Sequence, residues 1–403
     1  MDCDIAVIGA GPAGSLAGYH LATAGARVLL LDKAEFPRDK PCGGGVTGRA
    51  AKLLPFSIEP VVEHVVDRMR CRLQYKGNGF ERRAHAPLVY MTQRKWLDHF
   101  LLERAAAAGA DARTGVKVAD VRDGELTVDG EEIAARIVIG ADGCNGTTAR
   151  ALGLADDVTH SVALEANVPY DDCFARAMVF EIAAMRGGYG WIFPKGDHLN
   201  VGVAGNRSEG PKLRAELERM CNAYGIDPDT ASDTRGYRLP LRRPQSSLAR
   251  GTTAVIGDAA GLVDPFSGDG MYEAFYSARL VTNAALDVLA GRAQDLEPYA
   301  VAVARSITPL TNAGWGAKLA FERFPRTTFA LARLPVTFRA LEKLIGGELA
   351  HPGAARGLEK GAIRAIYAVS RQAAKQTASI GRSPDRADGS QWRPPAHSRA
   401  RLD

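Results

Sequence analysis

The chain has 403 residues, 46% hydrophobic and 24% charged, enough for two domains and a well-buried core. Its net charge of +5 is uneven: from residue 301 onward 17 Lys/Arg face 7 Asp/Glu, leaving the first 300 residues at −5. No apolar run reaches the ~18 residues of a membrane span, and six scattered cysteines without a CxxC pair exclude a zinc ribbon or a disulfide framework.

The N-terminus, MDCDIAVIGAG, is acidic rather than basic and runs straight into a strand. It predicts no export leader and a cytoplasmic protein with reduced thiols. DIAVIGAGPAGSLAGYHLATAGARVLLLDK then reads as strand, glycine turn, helix, strand. Gly9, Gly11 and Gly14 form G-x-G-x-x-G between the strand and the helix. The first glycine permits the turn, the second lets backbone approach a pyrophosphate, and the third lets helix pack on strand. Asp32, 18 residues after Gly14, ends the second strand where an acid can bind a ribose hydroxyl.

KPCGGGVTGR follows, from Lys40 to Arg49. RKWLDHFLLERAAAAG predicts an amphipathic helix over 94–109. ARIVIGADG and TTAVIGDAAG are two more apolar strands ending at acidic turns, and the long helix of GMYEAFYSARLVTNAALDVLAG follows the second. Strand alternating with helix predicts one largely parallel sheet. Residues 156–205 read instead as several strands, with GYGWIFPKGDHLNVGVAG as a hairpin turning at Lys195–Asp197. Residues 300–370 read as helices broken near Pro309, Pro325, Pro335 and Gly346–Gly347. From about Gln376 the composition predicts a disordered tail.

The expected fold is α/β: a Rossmann-like dinucleotide-binding domain with an inserted, mostly antiparallel β substrate domain and a helical C-terminal region. Residues 1–50, 90–155 and 250–300 form the first; 51–89 and 156–249 the second; 301–375 the third; 376–403 the tail.

The glycine triplet, Asp32, GADG (Gly140–Gly143) and GDAAGLVDPFSGDG (Gly257–Gly270) together resemble the p-hydroxybenzoate hydroxylase-like class of FAD proteins. That resemblance implies FAD, with Gly9, Gly11, Pro12, Ala13, Gly14, Asp32 and Lys33 on its ADP half. It implies Asp258 on the ribityl-pyrophosphate half, Gly268, Gly270 and Met271 toward the ring, and Arg94 against the cofactor. Here GADG continues as GADGCNGTTAR, with Gly146 and Thr147 in the region where the class often has serine; Asp142 reads as a turn acid. No second glycine fingerprint serves a nicotinamide, so NADPH would bind transiently, or reduced ferredoxin would deliver electrons.

FPRDKPCGGGVTGRA and GYGWIFP together resemble the geranylgeranyl reductase family. The resemblance covers roughly residues 1–300 and implies reduction of C=C bonds in a polyprenyl chain, with a prenyl lipid as substrate, and neither metal nor nucleic acid. It implies Cys42, Gly43 and Gly44 beside the flavin, with Cys42 as one candidate proton source and Tyr189 or a water as others. The family's proline, three positions before the tyrosine, is Arg186 here, which bears on the cavity entrance. Tyr189, Trp191 and Phe193 are spaced by two and share one strand face. Tyr189 and Trp191 thus join Cys42 as expected site residues.

Residues 315–345 interleave Trp, Phe and Leu with Lys318, Arg323, Arg326, Arg333, Arg339 and Lys343. This suits peripheral contact with an anionic membrane, and equally helices that cap the core with solvated arginines. Two other functions fit the same fold: a flavin monooxygenase or halogenase, since YGWIFP echoes a W-x-W-x-I-P strand, and a non-catalytic flavoprotein presenting prenyl lipid.

Overall fold

The structure is a computed structural model that describes residues 2–122, 124–243 and 246–379. Its first sheet has eight strands. Five run parallel, in the order Thr253–Val255, Glu131–Gly140, Cys3–Ile8, Val28–Leu31, Asp111–Arg113, the last at an edge. The three apolar runs that end in glycine or acid turns are therefore neighbours, and their turns gather at one edge. Helices Pro12–Thr23, Arg94–Ala107 and Met271–Leu289 pack against the sheet through Leu16, Leu97, Leu101 and Phe275.

The second sheet has seven strands and is antiparallel except for one pair, Arg68–Leu73 with Ala177–Ile182. It includes the predicted hairpin, Tyr189–Pro194 with His198–Asn206. Side chains alternate across it. Ile192, Val201 and Val203 turn to helix Leu213–Ala223 and pack on Leu217 and Met220. Tyr189, Trp191 and Phe193 turn to the opposite face, which walls a cavity. A third, small sheet pairs Gly45–Thr47 with Val89–Met91 and so anchors the far side of the CGGG loop.

The C-terminal helices are Glu297–Ser306, Thr308–Arg323, Pro325–Ala332, Pro335–Gly346 and Gly357–Ser379. Pro309, Pro325 and Pro335 each sit in a first turn, where the missing N–H is no loss, and Gly347 closes the fourth helix with a φ of 77°. The last helix runs to Ser379, past Gln376, where the composition predicts the start of a tail. Residues 380–403 lie outside the described residues. Among the described residues no helix is long and apolar enough to cross a membrane.

Candidate active site

One cavity of about 810 Å³ runs between the two large sheets and on among the C-terminal helices. At its first end stands the turn after the first strand. Gly9 has a φ of 102°, and a Cβ there would collide with the backbone of Ala141. Gly11 caps helix Pro12–Thr23 with no side-chain cap, leaving the amides of the helix start for an anion. Gly9, Gly11, Pro12 and Ala13 line the cavity; Gly14 stands behind them, where a Cβ would overlap the Gly9 carbonyl. Asp32 and Lys33 also line it. Asp32 accepts the amides of Ala10 at 2.7 Å and Ala34 at 2.9 Å, which ties the glycine turn to the end of the second strand.

The middle of the cavity is charged. Arg94 is buried and bonds Asp98 through two nitrogens, each at 2.7 Å; Arg38 reaches the same carboxylate at 3.0 Å. Asp258 bonds Lys40 at 3.0 Å and Tyr237 at 3.2 Å. Burial works to raise the Asp258 carboxyl, but Lys40 and Arg94 outweigh it and hold the carboxyl below its usual range. Gly268, Gly270 and Met271 close this stretch at the start of helix Met271–Leu289. Asp142 also lines the cavity, but its bonds are to its own turn. One of its oxygens accepts both amides and the hydroxyl of Thr147–Thr148, so it shapes the turn, as its sequence context suggests.

The CGGG loop crosses next and is gripped from three sides. Glu165 accepts the Cys42 amide at 2.7 Å. Lys195 bonds the Gly43 carbonyl and the Thr92 carbonyl, the latter at 2.8 Å. Thr92 donates to the Gly44 carbonyl at 2.9 Å. Gly44, at a φ of 66°, has no space for a side chain against Thr92 and Lys195. Burial brings the Lys195 ammonium down to about 8, with Cys42, Glu63 and Glu165 opposing.

Beyond the loop lies the aromatic face. Tyr189, Trp191, Phe193 and Phe180 form a cluster with ring centroids 5.5 to 6.2 Å apart. Trp191 donates its indole N–H to Asn200 at 2.8 Å, and Tyr189 donates to the Ser267 carbonyl. The far end is built by the C-terminal helices, through Phe321, Phe329, Phe338, Leu341, Leu344, Ile345, Ile363 and Ile366. The apolar stripe of residues 315–345 is thus turned inward as cavity wall. Arg186 reaches helix Thr308–Arg323 and pairs with Glu322 at 2.8 Å, beside a smaller cavity of about 320 Å³ that shares Tyr189, Phe266 and Phe321 with the main one.

The residues expected from the sequence therefore meet around one space, Gly14 excepted. Missed were Glu165, Lys195, Lys40, Tyr237 and the helical wall. Lys195 follows directly on GYGWIFP and was within reach of a sequence reading; the others come together only through long-range contacts. Among the described residues no group of His, Cys, Asp and Glu is arranged to hold a metal. The free helix start, the two acids spaced along the cavity and the glycine-lined walls between them suit a long dinucleotide such as FAD.

Comparison with known proteins agrees. The FAD binding domain family model matches residues 2–299. A geranylgeranyl diphosphate reductase of Rhodobacter capsulatus is 31% identical over 313 residues, 74% of this chain and 78% of that protein. A menaquinone reductase of Mycobacterium tuberculosis is 32% identical over 311 residues, 69% of this chain and 75% of that protein. In fold, the chain is similar to a geranylgeranyl bacteriochlorophyll reductase-like protein of Thermoplasma acidophilum, with a TM-score of 0.74 and 20% identity over 94% of this chain and 99% of that one. A flavin-dependent brominase is also similar, with a TM-score of 0.72 and 20% identity over 94% and 100%. This chain belongs to the FAD binding domain family and, within it, to the geranylgeranyl reductase family of FAD-dependent oxidoreductases.

Proposed function

We propose that the protein reduces C=C bonds in a polyprenyl chain of a lipid, quinone or pigment precursor. The observation that carries this reading is the single cavity that leads from the dinucleotide loops, past the CGGG loop and the aromatic face, into an apolar end among the C-terminal helices. An isoprenoid tail has no polar handle, so its recognition rests on shape and burial, at about 0.8 kcal/mol per CH₂. The phenylalanine, leucine and isoleucine side chains of the far end meet that need.

FAD, once bound and reduced, supplies a hydride. The helix start at Gly11 would hold its pyrophosphate, Asp32 a ribose hydroxyl and Asp258 its polyol. The CGGG loop, held by Glu165, Lys195 and Thr92, would set the distance between ring and substrate. Tyr189, Trp191 and Phe180 would flank the double bond and exclude water. NADPH or a reduced ferredoxin would reduce the cofactor, and stopped-flow mixing with each separates the two.

The test is anaerobic. The FAD-loaded protein is reduced with dithionite and mixed with geranylgeranyl diphosphate or a menaquinone. Return of the oxidised flavin spectrum, with product heavier by about two mass units per reduced bond, supports the reading. Reoxidation only when oxygen is admitted, with hydroxylated or halogenated aromatic product, overturns it in favour of a monooxygenase or halogenase. Retention of prenyl lipid without reoxidation points instead to a carrier.

A further inference from the structure

The seven-stranded sheet carries a row of residues in register across the face that walls the cavity. Phe80 pairs with Cys71, Cys71 with Phe180, Phe180 with Trp191, Trp191 with Gly202, and Gly202 with Glu165. Paired residues project to the same face. Gly202 has no side chain, and the Trp191 indole lies in the space a Cβ would take there. Glu165 is therefore the next side chain beyond that indole. It is also the one carboxyl among the described sheet residues that line the cavity.

Glu165 sits where the sheet meets the CGGG loop, since its carboxylate accepts the Cys42 amide at 2.7 Å. Burial lifts its carboxyl to about 7, against the pull of the Cys42 amide and of Lys195; Asp39 adds to the rise and Arg235 opposes it. These four act on it from the loop, the hairpin and the neighbouring strand. Among the other groups nearby, the Cys42 sulfur accepts the Gly44 amide at 3.4 Å and so already serves the loop's own turn. The Tyr189 hydroxyl bonds the Ser267 carbonyl, and burial, with Asp269 and Asp264, holds its proton more tightly than in water. The Trp191 N–H is bonded to Asn200.

We propose that Glu165 donates the proton in double-bond reduction. One alkene carbon receives hydride from the reduced cofactor. As the π bond opens, the neighbouring carbon takes the proton of the Glu165 carboxyl and forms its new C–H bond. The substrate gains two electrons, the cofactor loses two, and the carboxylate is reprotonated by water. The role rests on the prenyl-reductase reading.

The test uses the FAD-loaded wild type, Glu165→Gln and Glu165→Asp, with retained flavin absorbance as the check of folding. Glutamine keeps an acceptor for the Cys42 amide and loses the proton. Anaerobic reoxidation by geranylgeranyl diphosphate is expected to fall about tenfold per pH unit above pH ~7 in the wild type. Glu165→Gln is expected to be slower by about 100-fold or more and flat with pH, and Glu165→Asp to regain part of the rate. Independently of turnover, the infrared carbonyl band of a protonated carboxyl should titrate away near pH ~7 in the wild type and be missing from Glu165→Gln. Wild-type rate and pH dependence in Glu165→Gln overturn the role of Glu165 alone. Absence of that band at pH ~6 does the same. Failure of every protein, wild type included, to be reoxidised by any prenyl substrate overturns the reductase reading and this role with it.

Discussion

Lys195, at the tip of the aromatic hairpin, reaches the carbonyl oxygen of Thr92 at 2.8 Å, and the same ammonium bonds the Gly43 carbonyl. One buried cation thus joins the seven-stranded sheet to the CGGG loop. Burial takes its pKa from 10.5 to about 8. Between those values the unfolded chain binds more protons than the folded one, so stability attributable to this group rises with pH across the window and is lost as pH falls through it. Urea unfolding at several pH values, compared with Lys195→Met, should show the wild type gaining on the variant from pH ~8 to ~10. A constant difference across that range contradicts it.

Gly202→Ala tests the row across the sheet. The new Cβ would occupy space held by the Trp191 ring. Overpacking of this kind costs about 1–3 kcal/mol, and displacement of the indole should slow prenyl reduction about tenfold. Thermal unfolding and single-turnover reoxidation measure the two effects. Unchanged values in both would mean that the ring is not seated over Gly202.

The Arg94–Asp98 pair is almost wholly buried. Arg94→Met should destabilise by about 3–5 kcal/mol, because an uncompensated carboxylate remains inside. A loss below about 1 kcal/mol in urea would show that Arg38, at 3.0 Å, neutralises Asp98 unaided.

Asp258→Asn bears on the cofactor. Removing a charged acceptor from a bound hydroxyl costs about 1.5–3 kcal/mol, so FAD should bind about 10- to 100-fold more weakly. Titration of the apoprotein with FAD, followed by flavin fluorescence, gives the value directly. Wild-type affinity would remove Asp258 from the cofactor site.

Ala317 lines the cavity from helix Thr308–Arg323. Ala317→Phe should narrow the apolar end and discriminate by chain length. The expected result is a KM for a geranylgeranyl substrate raised about tenfold, with that for a geranyl substrate nearly unchanged. Equal effects on both lengths would place the chain elsewhere.

Much of this architecture was legible in the sequence because its signals are local. The glycine turn, Asp32 after the second strand and the alternation of Tyr189, Trp191 and Phe193 each need only a few neighbouring residues to be read. Glu165 was not legible. It is a lone acid in VALEANVP, and its position depends on register with Gly202 and on a loop 123 residues away. Lys40 and Asp258 are 218 residues apart. The stripe in 315–345 told which side of the helices is apolar but not what covers it. Membrane and core make the same demand on a helix face, and only the tertiary structure shows that this face lines the cavity.

That shared wall has a further effect. Residues 2–299 supply the cofactor end of the cavity and helices after residue 307 close the other, so a molecule filling it bridges early and late parts of the chain. Occupancy of the apolar end then raises the free energy of detaching the C-terminal helices, by an amount that grows with ligand concentration over Kd. Susceptibility of those helices to a protease becomes a gauge of what occupies that end, read without any turnover.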